Sequence, residues 1–238
     1  MNEILGIVGG MGSHATASMF QQLINKSSVK KDQEYIEILI HNNTRIPDRT
    51  EAILYQGEDP LPELARSVNL LERCGAAVIV LACVTAHHFY DKLGETLQHA
   101  QLFNIIKETA DFTCSMYPNT RTIGILATEG TCKSGLWQKE FNKRKMSTVI
   151  LSDAHQETYF NSVVYGPKGI KAGYTNEELK LKLLEGCNKL RDMGAEAIIG
   201  ACSELPILIS KEDLQLPYID SLEVTVEKLI GRYYGKSI

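Results

Sequence analysis

Short apolar runs alternate with amphipathic stretches along this chain, an order that a parallel sheet with crossover helices requires. Strands are expected at Ile4–Val8, Tyr35–Ile40, Val78–Ala82, Thr122–Leu126, Thr148–Leu151 and Ala197–Gly200. Between them, Leu64, Val68 and Leu71 recur at helical spacing ahead of Gly75, and Leu179, Leu183, Cys187 and Leu190 do the same ahead of Gly194. A glycine just past the last apolar position marks a helix end, because only glycine enters the left-handed region without penalty. The expected fold class is therefore α/β.

The pattern also repeats. Leu71 to Cys83 (LERCGAAVIVLAC) aligns without gaps on Leu190 to Cys202 (LRDMGAEAIIGAC), an offset of 119 residues, with a cysteine eight residues after the glycine in both. The first strand and its loop, Gly6 to Gly12, match Gly124 to Gly130 at an offset of 118. Two matches at nearly one offset predict two similar flavodoxin-like halves, each with a parallel sheet, related by a pseudo-twofold axis with the active site between them. We expect residues 1–98 to form the first half, 99–215 the second, and 216–238 to return to the first as a strand and helix.

Composition narrows the function classes. No apolar run in the 238 residues approaches the roughly 18 needed to span a bilayer, and the start resembles no secretory signal, so a cytoplasmic location without membrane partners is expected. A net charge of −4 and the lack of a basic stripe argue against a nucleic-acid partner, whose phosphates must be neutralised by Lys and Arg. The six cysteines are expected to stay reduced and form no CxxC pair, which leaves no structural zinc motif. The loop Gly9-Gly10-Met11-Gly12 lacks the GxGxxG spacing of a dinucleotide site; its glycines instead let backbone approach a small ligand, to which Met11 can offer an amide.

The repeat puts Cys83 and Cys202 at equivalent strand ends, where ligands bind in open α/β sheets. Two opposed thiols, one ionised and one protonated, suit a reaction that takes a proton from one face of a carbon and returns one to the other. Cys74, Cys114, Cys132 and Cys187 read as background residues, and His87 and His88 as helix-packing or hydrogen-bonding residues rather than partners in a Cys-His dyad.

Six motifs in order make the chain resemble the aspartate/glutamate racemase superfamily, aspartate racemase branch. They are Gly9 to Thr16 (GGMGSHAT), Asn42 to Thr50 (NNTRIPDRT), Cys83 to His87 (CVTAH), Ala127 to Thr131 (ATEGT), Ile170 to Gly173 (IKAG) and Cys202 to Pro206 (CSELP). The resemblance implies an isomerase working without pyridoxal phosphate, metal or other cofactor, with Cys83 and Cys202 as its acid/base pair. It further implies that Arg49 and Lys171 bind substrate carboxylates, that Met11, Val84, Thr85 and Thr128 line the substrate, and that Asn43 and Glu204 support them. A homodimer is expected from the family alone.

Three positions depart from the family pattern: Ser13 for Pro, Ser203 for Thr, and Val84 for the Asn that usually follows the first cysteine. Val84 cannot hydrogen-bond a carboxylate, so the substrate stays open between aspartate and related acidic amino acids. Hydantoin racemisation, maleate isomerisation and non-catalytic binding of small acids are the rival readings.

Overall fold

A computed structural model describes residues 3–235 of the chain. They fall into two compact units, residues 3–105 with 223–235, and Ile106–Leu222. The first contains β1 (Ile4–Gly9), α1 (Ser13–Lys26), β2 (Ile38–Asn42), α2 (Arg49–Leu54), α3 (Leu61–Arg73), β3 (Ala76–Leu81), α4 (Tyr90–Gly94) and β4 (Gln101–Leu102). The helix α5 (Ile105–Met116) leads into the second unit, with β5 (Thr122–Leu126), α6 (Glu129–Lys133), α7 (Leu136–Asn142), β6 (Ser147–Ile150), α8 (Asp153–Gln156), α9 (Ser162–Val164), α10 (Glu177–Asp192), β7 (Ala197–Gly200) and β8 (Tyr218–Asp220). The last helix, α11 (Ser221–Tyr234), returns the chain to the first unit.

Each unit holds one four-stranded sheet, ordered β2-β1-β3-β4 in the first and β6-β5-β7-β8 in the second. Every pairing is parallel. The fold is thus α/β with two sheets of the same topology. Their equivalence extends to side-chain packing. A Cβ on Gly6 would meet Ala76 at 3.0 Å, Leu71 and Ile79, and one on Gly124 would meet Ala195 at 3.0 Å, Leu190 and Ile198, the same positions of the repeat. These glycines let α3 and α10 lie close on their central strands. Both helices end as expected, with Gly75 at φ +95° and Gly194 at φ +93°.

The second strand departs from expectation. Tyr35–Glu37 lie outside β2, which begins at Ile38. The ladder explains the difference: Leu5 pairs with Ile38 and its N–H reaches the Glu37 carbonyl at 2.9 Å, while β1 itself begins at Ile4. Residues before Glu37 therefore have no strand beside them to bond. The short β4 lacks a sequence signature of its own, being two residues paired to Val78 and Ile79.

Each sheet has its own core. Val8, Leu64, Val68, Ile79 and Leu81 pack together in the first unit; Leu126, Phe160, Leu183, Leu190 and Ile198 do so in the second. Cys83 belongs to the first cluster and Cys202 to the second. Among the described residues, no helix is long and apolar enough to cross a membrane.

Candidate active site

Parallel strands bring every strand's carboxyl end to one edge, and the loops there carry the residues that the sequence singles out. In the first unit, Gly10 at φ +89° turns the chain after β1 and runs so close to Asn43 that a Cβ would lie 2.3 Å from its backbone. Only glycine fits there. Thr16 fixes the other side of the turn, accepting from Gly10 N–H at 3.2 Å and donating to the Gly12 carbonyl at 2.9 Å.

Arg49 is held at the start of α2 because Asp48 caps that helix, accepting from the N–H groups of Thr50 and Glu51 at 2.7 and 3.0 Å. Its guanidinium reaches back to donate to the carbonyls of Met11 at 2.9 Å and Pro47 at 3.0 Å, and the residue is buried. Arg49 therefore ties the glycine-rich loop to the NNTRIPDRT segment. Asn43 is buried too, donating through Nδ2 to Glu63 Oε2 at 2.8 Å and Ser67 Oγ at 3.0 Å while its Oδ1 accepts from Arg45 N–H at 3.1 Å.

Cys83 follows β3, and Val84 and Thr85 begin the 3₁₀ turn Thr85–Phe89; all three are buried. His87 closes that turn onto the cysteine backbone: its Nδ1 lies 3.1 Å from the Cys83 carbonyl, and its Nε2 accepts from Ile105 N–H at 3.2 Å. An accepting Nε2 requires the proton on Nδ1, which then donates to the carbonyl. Burial pushes the imidazole pKa down to about 4, outweighing the raising effect of the Cys83 carbonyl. His87 is thus a neutral brace for the strand end, bonded to the carbonyl of Cys83.

In the second unit, Thr128 caps α6, its Oγ1 accepting from Thr131 N–H at 3.2 Å and donating to Thr131 Oγ1 at 2.9 Å. Gln156, which no sequence pattern singles out, is buried beneath this loop and donates to the Ala127 carbonyl at 2.9 Å. Cys202 follows β7 and donates to Glu204 Oε2 at 3.0 Å; Ser203 Oγ approaches the same oxygen at 3.5 Å. The other carboxylate oxygen accepts from Lys171 Nζ at 3.0 Å. Lys171 rides on a 3₁₀ turn, Ile170–Ala172, ended by Gly173 at φ +87°, which gives the IKAG motif a structural cause. Its ammonium also lies 5.5 Å from the Tyr165 ring centroid, within reach of the ring's negative face.

Burial, reinforced by the charge of Glu204, pushes the Cys202 thiol well above its ordinary pKa. The assignment of Cys202 as the donor in this hydrogen bond agrees with that direction. Burial raises Cys132 and Cys187 to about 12, with the charge of Glu129 a smaller raising effect at Cys132. All six cysteines are free thiols, and no group of three metal-ligating side chains is assembled among the described residues.

The residues that the sequence singles out thus divide between the units, with Met11, Arg49, Asn43, Cys83, Val84 and Thr85 in the first and Thr128, Lys171, Cys202 and Glu204 in the second; hydrogen bonds join Arg49 to Met11, and Lys171 to Cys202 through Glu204. Glu63, Ser67, Gln156 and Tyr165 join them as second-layer partners that reading the sequence missed. For Glu63 and Ser67 a signal existed, a polar pair four residues apart on the otherwise apolar face of α3.

A family model described as Asp/Glu/hydantoin racemase matches residues 8–229. RacX of Bacillus subtilis, named as a broad specificity amino-acid racemase, is 24% identical over 234 residues, covering 97% of this chain and 98% of its own length. The solved structure of Picrophilus torridus aspartate racemase superposes with a TM-score of 0.77 at 25% identity, over 99% of this chain and 100% of that one. Glutamate racemase of Francisella tularensis, solved with D-glutamate, shares the fold at a TM-score of 0.68 and 16% identity, over 98% of this chain and 82% of that one. With more than half its length matched by that model, the chain belongs to the Asp/Glu/hydantoin racemase family.

Proposed function

We propose that this chain is a cofactor-independent amino-acid racemase that uses Cys83 and Cys202 as opposed acid and base, with aspartate or a related acidic amino acid as substrate. The observation that carries the proposal is the recurrence of a buried cysteine at the same strand end in both repeats, the second residue after β3 and after β7. Inversion at Cα needs one group to remove a proton and another to deliver one to the opposite face, and one thiol from each unit would supply the two.

In this reading Cys202 begins as the acid. Its proton leaves the hydrogen bond to Glu204 for the planar carbanion, the S–H bond breaking as the C–H bond forms; this leaves a thiolate beside a carboxylate, and the return step restores the thiol. Arg49 and Lys171 supply the cationic surroundings that an acidic substrate and its carbanion require, while Thr85 and Thr128 offer hydroxyls. Met11 and Arg49 act as one unit, because the guanidinium fixes the loop that would offer its amides to the ligand.

A broader substrate range is the second reading. It is favoured by Val84, an apolar side chain buried directly after Cys83, and by the broad specificity named for RacX. Incubation with each L-amino acid in heavy water, followed by chiral separation and mass measurement, tests both. Inversion coupled to gain of one deuterium from acidic amino acids alone supports the first reading, and the same result from several side-chain classes supports the second. Binding of acidic amino acids without exchange would reduce the chain to a binder.

A further inference from the structure

The family resemblance makes Lys171 a cation for a substrate carboxylate, yet its ammonium is joined to the one carboxylate that accepts from Cys202. The two acids form a linked pair. Thiol with carboxylate, and thiolate with carboxylic acid, are two tautomers of equal charge, interconverted when the proton moves from Sγ to Oε2. The S–H bond breaks, an O–H bond forms, and the negative charge passes from oxygen to sulfur. Lys171 sits on Oε1, 3.0 Å away, while the thiol sits on the other oxygen. A positive charge in contact with the carboxylate stabilises charge there more than on the sulfur beyond it. Glu204 is 4% exposed, so water screens this bias little.

We propose that Lys171 is a positioning residue that acts on Cys202 through Glu204: it holds the pair's negative charge on the carboxylate, keeps the proton on sulfur, and so makes Cys202 the acid of the resting site. The inference rests on the two-thiol reading for its catalytic meaning, although the tautomer itself does not depend on it. Tyr165 belongs to the same device, its ring flanking the ammonium at 5.5 Å.

The sign of one effect tests this. An ordinary cation near a thiol promotes ionisation, so its removal slows alkylation. A cation that acts through Glu204 does the reverse, because its removal lets charge move onto sulfur without any proton leaving the pair. Alkylation of Cys202 by iodoacetamide is followed at pH 7 by peptide mass, in a Cys83→Ser background. Lys171→Met is expected to speed it about ten-fold, the effect of roughly one pKa unit of lost bias. Lys171→Arg, which keeps the charge, should restore the slow rate.

The same Lys171→Met change is then made in Glu204→Gln, where no carboxylate remains to share the proton. There it should slow alkylation, because Lys171 becomes the direct cation of the thiolate. Inversion of sign between the two backgrounds is the expected result. Slowing in both would make Lys171 a direct thiolate partner, no change in either would confine it to substrate, and speeding in both would mean that the substitution merely opens access; each overturns the proposal. Failure of the two-thiol reading shows elsewhere, as wild-type racemisation by Cys83→Ser alone.

Discussion

The Cys202 thiol donates to the Glu204 carboxylate at 3.0 Å, so the carboxylate both accepts a hydrogen bond from the thiol and, by its charge, opposes the thiol's ionisation. Glu204→Gln separates the two effects. Loss of the adjacent negative charge should let Cys202 ionise more readily, and alkylation at neutral pH should rise at least about ten-fold, the equivalent of one pKa unit. Racemisation should fall in the same variant, because a Cys202 that ionises at rest lacks the proton that the carbanion must receive. A slower alkylation would mean that Glu204 does not hold the thiol protonated.

Replacing either cysteine by serine should lower racemisation by about two or more orders of magnitude, since a hydroxyl is a far weaker base and acid/base groups contribute on this scale. The two variants should differ in what survives. Each keeps one thiol, so each should slowly exchange Cα hydrogen of one enantiomer only, and the preferred enantiomer should be opposite in the two. Mass measurement in heavy water after chiral separation reads this directly; a single variant racemising at the native rate would remove its cysteine from the mechanism.

His87 should make the fold acid-sensitive. Its pKa lies at about 4 in the folded chain against 6.5 for an ordinary histidine, so between these values the unfolded chain binds more protons and stability is lost as pH falls. The full difference corresponds to about 3 kcal/mol. Urea unfolding at pH 7 and pH 4.5 should show a larger loss for the native chain than for His87→Gln, which has no proton to gain. Equal losses would show that the ring is not buried in its neutral form.

Arg49 joins two backbone carbonyls through different nitrogens, which a single ammonium cannot reproduce. If the same guanidinium meets substrate, removing it should cost about 2 to 4 kcal/mol of transition-state stabilisation. Arg49→Ala should therefore reduce kcat/KM for an acidic amino acid by roughly 30- to 1000-fold. Lys at this position should recover only part of the loss. Native kinetics in both would confine Arg49 to holding the loop.

The sequence made the central strands and their helices legible because their cause is local. Ala197–Gly200 and Thr122–Leu126 are short apolar runs that occur as strands with those limits, and Gly75 and Gly194 end their helices as the pattern requires. Edge strands were not legible to the same degree. The extent of β2 depends on where β1 begins, and β4 exists only because β3 offers it a partner; both are facts about a neighbour. The thiols were legible through the repeat, whereas the bond from Lys171 to Glu204 was not. It joins residues 33 positions apart, and its proximity arises only when the 3₁₀ turn at 170–172 folds against the loop after β7.

The two repeats align without gaps up to their cysteines, yet two residues further on one has Thr85 and the other Glu204. In water a mirror-image pair of amino acids has an equilibrium constant of unity, and no catalyst alters it. For a racemase, this Haldane constraint forces kcat/KM to be equal in the two directions, however unlike the two thiols are. The dissimilar neighbours of Cys83 and Cys202 can therefore make the two directions differ only in how that common ratio divides, giving one enantiomer tighter saturation and slower turnover and the other the reverse.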